Sequence, residues 1–287
     1  MNVVAAVSGG VDSVVLLDML VHKQLLPHHS EIIVAHFEHG IRGEASKADA
    51  RFVELLSKHY SLRCEIGHGA LNKNASEAEA RVARYEFLQS VAKKYDAAVV
   101  TAHHSDDVIE TIAINVQRGT GWRGVQGMND TAIVRPLLDV TKAQVYDYAL
   151  KHGLEWVEDE TNRSDRYLRN RLRRQIGSLP AASRQALLEL RRRQLVLAAS
   201  IDSEVEEVLS GHSEPYKRYF FIMIEEKVAC ELLRSITQAR ITRPQLQLML
   251  GAIKAAKPGT NHALGNKIHL QVARDFFTVT HQEKMIQ

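Results

Sequence analysis

Val3-Val4-Ala5-Ala6-Val7-Ser8-Gly9-Gly10-Val11-Asp12-Ser13-Val14-Val15-Leu16-Leu17 opens the chain and decides most of its reading. The apolar run at 3–7 predicts a buried strand, and the run from 14 onward predicts the start of a helix. A Gly-Gly pair stands between them. Glycine lets the backbone approach a bound group closely, and the N–H groups at a helix start favour an anion. Ser8, Gly9, Gly10, Val11, Asp12 and Ser13 therefore read as a phosphate cradle. The serine hydroxyls add donors, and Asp12 can organise the loop or help hold a magnesium ion. This is not a Walker A loop, because no lysine follows the glycines, nor a Gly-x-Gly-x-x-Gly dinucleotide loop. The plainer alternative is a tight turn in which Asp12 and Ser13 satisfy the first helical N–H groups.

The rest of the first half repeats the pattern. Residues 31–36 form a short apolar strand, followed by a helix over about 44–60 with Ala48, Phe52, Leu55 and Leu56 at helical spacing. Residues 62–66 are a third strand. A helix over 76–95 carries Ala80, Ala83, Phe87, Leu88 and Val91 on one face. Residues 97–102 are a fourth strand, and Ser105 starts a helix to about Gln117. Such βαβα alternation predicts an α/β fold with a doubly wound parallel sheet. In these sheets the ligand lies beyond the carboxyl ends of the strands, so the loops after residues 7, 35 and 102 should share one cleft.

Beyond 135–138 a helix is expected over 141–152, then a polar and basic stretch, then one long helix over 183–209 without Gly or Pro. After a break at 211–215 the chain reads as strand, helix, helix and two strands ending near Val279, with a turn at 258–261. Three parts follow: a catalytic domain over 1–182, a connecting helix over 183–211 and a small α+β C-terminal domain over 212–287. The 183–209 helix suits either the packing of a second copy in a homodimer or the bracing of the two domains.

At 287 residues the chain is long enough for one large and one small domain. No apolar run approaches a membrane span and no signal-like segment opens it, so a cytoplasmic location without membrane contact is expected. Cys64 and Cys230 stand far apart and outside any C-x-x-C pair, which excludes a disulfide framework or cysteine-rich metal site. The net charge of +3 permits nucleic acid without demanding it. Its distribution is more telling, because arginine crowds between 163 and 193.

Four further stretches carry chemistry. His36-Phe37-Glu38-His39-Gly40-Ile41-Arg42 follows the second strand and falls in the predicted cleft, unless it is only a polar loop. In Thr101-Ala102-His103-His104-Ser105-Asp106-Asp107, with Glu110 and Thr111 beyond, Asp106 and Glu110 share a helix face. Two carboxylates beside a phosphate site suit magnesium, although acids in a first turn also complement the helix dipole. Arg118-Gly119-Thr120-Gly121-Trp122-Arg123-Gly124 is either an arginine clamp for phosphate or a surface turn. Tyr167-Leu168-Arg169-Asn170-Arg171-Leu172-Arg173-Arg174 is either a contact for a phosphate backbone or a solvated basic helix.

The Ser-Gly-Gly-x-Asp-Ser loop resembles that of the PP-loop ATP pyrophosphatase superfamily, which has a Rossmann-like fold. Taken in order with 36–42, 102–111, 118–124 with Met128, 135–138, 158–162 and 167–174, it resembles the tRNA(Ile)-lysidine synthetase branch. The resemblance covers about residues 1–180, with the C-terminal part fainter. It implies ATP and Mg2+ as cofactors. It also implies adenylation of the wobble cytidine of a tRNA(Ile) bearing a CAU anticodon, then attack by L-lysine, with AMP and pyrophosphate as products. By that likeness Asp12, Glu38, Arg118 and Arg171 would be catalytic and Asp12 with Asp106 would hold the metal. His39, Arg42, His104, Arg123 and Arg174 would meet the substrate or tRNA. Glu38 or His39 are candidates for the base that deprotonates the amine. The C-terminal domain would bind tRNA, in a compact form with a reduced extension. Two departures stand out. The branch usually has Val-Asp where this chain has Phe37-Glu38, and Arg-x-Glu where it has Lys142-Ala143-Gln144. If that glutamate held the substrate lysine, Asp139 or Glu158 would have to replace it. A tRNA thiolase of the same superfamily is the main rival, and a non-catalytic RNA-binding module another; thiolases commonly need paired cysteines.

Overall fold

The computed structural model describes residues 1–38, 40, 44–69, 77–158, 172 and 175–281. His39, Arg42, Arg171 and Arg174 lie outside these, as do 159–170 and Arg173. The chain forms two compact units, Met1–Arg191 and Arg192–Gln287.

In the first unit, strands β1 (Asn2–Ala6), β2 (Ile32–Glu38), β3 (Arg63–His68), β4 (Ala97–Val100) and β5 (Ile133–Val134) form one sheet in the order β3-β2-β1-β4-β5. All pairs are parallel. The doubly wound expectation is met. A two-residue β5 was not anticipated, because two residues are too few to show an alternation.

The side-chain period of two sorts the strands onto two faces. Val3, Ala5, Ile32 and Val34 pack with Leu16, Leu17 and Leu20 of helix α1 (Val11–Val21) and Val53 of α2 (Glu44–His59). Val4, Ile33, Ala35 and Val99 pack with Leu88 and Val91 of α3 (Glu77–Lys94). Both faces are thus covered, as continuous apolar strands require. Helices α4 (Ser105–Gln117) and α5 (Lys142–Lys151) complete the unit, and α5 lays Val145 and Ala149 against Val11 and Val15 of α1. A short 3-10 turn, Trp122–Gln126, folds back on α4, where Asn115 Nδ2 donates to Gly124 O at 3.0 Å. Arg135 donates to the carbonyls of Asp130 and Ile133, at 2.8 and 3.3 Å, and Leu137 is fully buried. The segment 135–138 is therefore a structural closure of its own loop.

The division between the units falls inside the long helix α6 (Ala181–Ser210). Its first turns belong to the first unit: Arg191 Nε donates to the carbonyls of Gln126 and Gly127 at 2.7 and 3.1 Å. Its later turns place Val205 in the core of the second unit.

That second unit pairs β6 (Tyr216–Lys217), β7 (Thr260–Gly265), β8 (Ile268–Val272) and β9 (Phe276–His281) antiparallel, in the order β6-β9-β8-β7. Helices α7 (Arg218–Met223), α8 (Glu226–Ile236) and α9 (Arg243–Ala255) supply Phe221, Leu232, Leu233, Met249 and Ile253 to the core over Leu270, Val272 and Phe277. Three closing strands and three short helices replace the two and two expected. Asn266 and Lys267, both with positive φ, turn the chain between β7 and β8 and split what reads as one run. No described helix is long and apolar enough to cross a membrane.

Candidate active site

β1 lies between β2 and β4, so the connection from β1 leaves the sheet where the strand order reverses. In such sheets the ligand position is at that point, beyond the strand ends. The loop 8–13 lies there. Gly9 has φ +92, a conformation that costs a residue with a Cβ, and its carbonyl accepts the Val157 N–H at 2.9 Å. Ser13 is buried, accepts the Ser8 N–H at 3.1 Å and donates to Gly10 O at 2.8 Å. Its hydroxyl therefore holds the loop closed instead of facing a ligand. Val11 is buried against α5, so it can contribute only its backbone. Ser8 is the exposed hydroxyl of the pair. The N–H groups of Val11 and Asp12 lie in the first turn of α1, where no preceding helical carbonyl takes them.

Asp12 meets a partner that local sequence does not reveal. Lys142 Nζ donates to both of its carboxylate oxygens at 2.7 Å, across 130 residues of chain. Asp106, expected as a second metal ligand, is engaged elsewhere. One oxygen accepts the Lys142 N–H at 2.8 Å, and the other meets the guanidinium of Arg184. Burial alone would raise the Asp106 pKa, but these two donors outweigh it and hold the carboxyl below its usual range. Asp106 thus ties α4 to α5 and α6, and shares Lys142 as a partner with Asp12. No cluster of three or more metal-ligating side chains occurs among the described residues.

His104 is only 4% exposed. Its Nε2 lies 3.7 Å from Asp12 and 3.4 Å from Asp107, which also accepts the His104 N–H at 3.0 Å. The neighbouring His103 bonds Thr101 Oγ1 through Nδ1 at 2.8 Å; burial, opposed by Asp107 and reinforced by Arg135, pushes it down to about 4. His36 bonds Val7 O at 2.8 Å and fastens β2 to the entry of the loop; burial lowers its pKa against that bond.

Glu38 ends β2 and accepts a hydrogen bond from His68 Nδ1 on β3 at 2.8 Å. The structure does not bring it to Asp12; it gives it a histidine partner that sequence reading missed. Phe37, the other departure at this point, packs 5.6 Å from the Phe87 ring. It has room because a Cβ on Gly69 would come within 2.8 Å of it. Arg118 is exposed at the C-terminal end of α4, thirteen residues and about 20 Å of helix from Ser105. The structure therefore does not gather it with the Asp12 cluster. Arg123 stacks over the Trp122 ring at 4.4 Å.

A parallel α/β sheet with an anion-ready helix start at its switch point is the architecture of a nucleotide-binding domain. The family described as the PP-loop domain matches residues 1–179, and the chain belongs to that family. It is similar to the tRNA(Ile)-lysidine synthase of Bacillus subtilis (strain 168), 35% identical over 188 residues, which are 61% of this chain and 39% of that one. The protein of that name from Enterococcus faecalis is 34% identical over 233 residues, 76% of this chain and 49% of its own. The Bifunctional protein TilS/HprT of Listeria monocytogenes is 38% identical over 61% of this chain and 29% of its own. The chain thus spans half or less of the length of these relatives. Among solved structures, the U34-tRNA thiolase NcsA from Methanococcus maripaludis matches with a TM-score of 0.57 at 18% identity, over 69% of this chain and 71% of that one. That is a likeness of fold.

Proposed function

We propose that the chain is an ATP-dependent ligase that joins L-lysine to C2 of the wobble cytidine of a tRNA(Ile) with a CAU anticodon, giving lysidine, AMP and pyrophosphate. The observation that carries this is the 34–38% identity to relatives named for that reaction, over 61–76% of this chain. The helix-start N–H groups of Val11 and Asp12 and the exposed Ser8 hydroxyl hold the phosphate chain. Charge developing on the departing pyrophosphate thus meets fixed donors. The cytidine C2 oxygen attacks the α-phosphorus and pyrophosphate leaves with the bonding electron pair. The lysine amine, having lost a proton, then attacks C2 and AMP leaves.

The Asp12 carboxylate fits a cation, since an ammonium already sits on both its oxygens. It is the residue that would hold Mg2+, and the ion would supply neutralisation of phosphate charge. Glu38, oriented by His68, is the described carboxylate offered as the base for the amine. Arg118, the Arg123–Trp122 stack and the basic 167–174 segment suit RNA phosphates and bases. The C-terminal unit, with eleven Lys and Arg against six Asp and Glu over 212–287, is proposed as a further tRNA contact.

A sulfur-transfer reading draws on the fold of the thiolase neighbour. An iron–sulfur cluster needs three or four ligating cysteines, and this chain has two, both free, one in each unit. The test measures pyrophosphate release with ATP-magnesium and an unmodified transcript. Release is expected with cytidine at the wobble position and lost when uridine stands there. Equal release from both transcripts would overturn the assignment of the base.

A further inference from the structure

The phosphate loop lacks the lysine that a Walker loop carries, but the fold delivers one. Lys142 is the first residue of α5, capped by Thr141 and Gln144. A cation there is opposed by the helix dipole, so the position is not chosen for helix stability. Its backbone is fixed, because its N–H is held by Asp106 Oδ2 at 2.8 Å. Its ammonium lies 4.9 Å from the Tyr146 ring centroid, one turn along, and forks onto both Asp12 oxygens. Both side chains are about a third exposed, at 33% and 32%, so the pair is reached by solvent and is open to exchange. Exposed pairs contribute little to stability, so a stabilising role does not account for this one. What surrounds it is an anion site one residue away, at the start of α1.

From this we infer that Lys142 is the cation of the phosphate loop. In the free protein it neutralises Asp12. When ATP enters, the ammonium turns to the β- and γ-phosphate oxygens and leaves Asp12 open to a cation. As the bond from the α-phosphorus to the bridging oxygen breaks, the electron pair goes to pyrophosphate, and Lys142 shares the charge that collects there. The inference rests on the ATP-binding reading of the loop and needs neither tRNA nor lysine.

The test is binding of labelled ATP and labelled AMP by equilibrium dialysis, with and without magnesium, to the full chain and to K142M and K142R. K142M should bind ATP about ten- to a hundredfold more weakly, as removal of a charge-assisted hydrogen bond implies, and should bind AMP as the parent does. K142R should recover most of the ATP affinity. The magnesium dependence of ATP binding should weaken less in K142M than the affinity itself, since Asp12 is retained. Equal loss of ATP and AMP would make Lys142 merely structural and overturn the inference. So would unchanged ATP binding. A parent chain that binds no ATP would instead overturn the nucleotide reading on which the inference stands.

Discussion

Gln144 stands three residues after Thr141, and that spacing explains it. Gln144 Oε1 accepts the Thr141 N–H at 2.8 Å, and Thr141 Oγ1 accepts the Gln144 N–H at 3.2 Å, a reciprocal cap. The departure from Arg-x-Glu at this point keeps a capping residue. Ser8 and Ser13 differ in the same physical way. Ser13→Ala opens the loop's own bonds and should lower stability by about 1–2 kcal/mol as well as ATP affinity. Ser8→Ala removes only longer contacts, with Ser13 Oγ at 3.2 Å and Gly10 N–H at 3.4 Å, so it should lower affinity with the smaller loss of stability, and thermal unfolding beside ATP dialysis separates the two. His103 sets a pH dependence. The unfolded chain takes up its proton near 6.5, the folded chain only near 4. The unfolded state therefore binds more protons between those values, and the contribution to stability is complete above about 6.5 and declines as pH falls toward 4. Buried His36 adds in the same direction. Urea midpoints should fall from pH 7.5 to pH 5, and the fall should shrink in His103→Gln; midpoints flat over that range would contradict it. The turn at 8–12 was legible because its residues are neighbours in sequence. Lys142 and Arg184 were not, because their partners lie 130 and 78 residues away.

At the scale of elements, α1 is pinned at both ends. Its start forms the phosphate loop, and two turns on, buried Asp18 accepts the hydroxyls of Tyr60, after α2, and Tyr148 of α5, at 2.7 and 2.8 Å. Burial and that carboxylate push Tyr148 up to about 12 and Tyr60 well above its ordinary value. Three elements are thus clasped at one carboxylate. Removing it takes the acceptor of Tyr60 and leaves Tyr148 only Gln24 Oε1 at 3.1 Å, so Asp18→Ala should cost about 2–4 kcal/mol, and Tyr148→Phe about 1 kcal/mol. Urea unfolding measures both, and ATP affinity should be unchanged in Tyr148→Phe. The helices and the four longer strands of the first unit were legible because their apolar periods run for several residues. β5 and the turn at Asn266–Lys267 were not, since a two-residue strand has no period and an Asn-Lys turn is a weaker signal than Asn-Gly.

At the scale of the whole molecule, each unit has its own core, and α6 contributes to both. Phe221 is fully buried among Tyr216, Phe220 and Phe277 in the second unit. Phe221→Ala should destabilise that unit by about 3–5 kcal/mol while ATP binding, a property of the first, is kept. Tryptophan fluorescence reports the first unit alone, as Trp122 and Trp156 both lie there, and circular dichroism reports both. Replacing Arg171 and Arg174 by alanine should weaken tRNA binding and flatten its salt dependence by roughly one unit of slope for each phosphate that is no longer neutralised. An unaltered slope would return that segment to a solvated basic surface. The central claim concerns what becomes joined to what. The direct measurement is transfer of labelled L-lysine to unmodified tRNA(Ile) with a CAU anticodon, in the presence of ATP and magnesium, by the folded chain and by Asp12→Ala. Label bound covalently to the wobble nucleotide, matched by AMP and absent from the Asp12→Ala reaction, is the predicted result. ATP cleaved to AMP and pyrophosphate with no lysine entering the tRNA would contradict it.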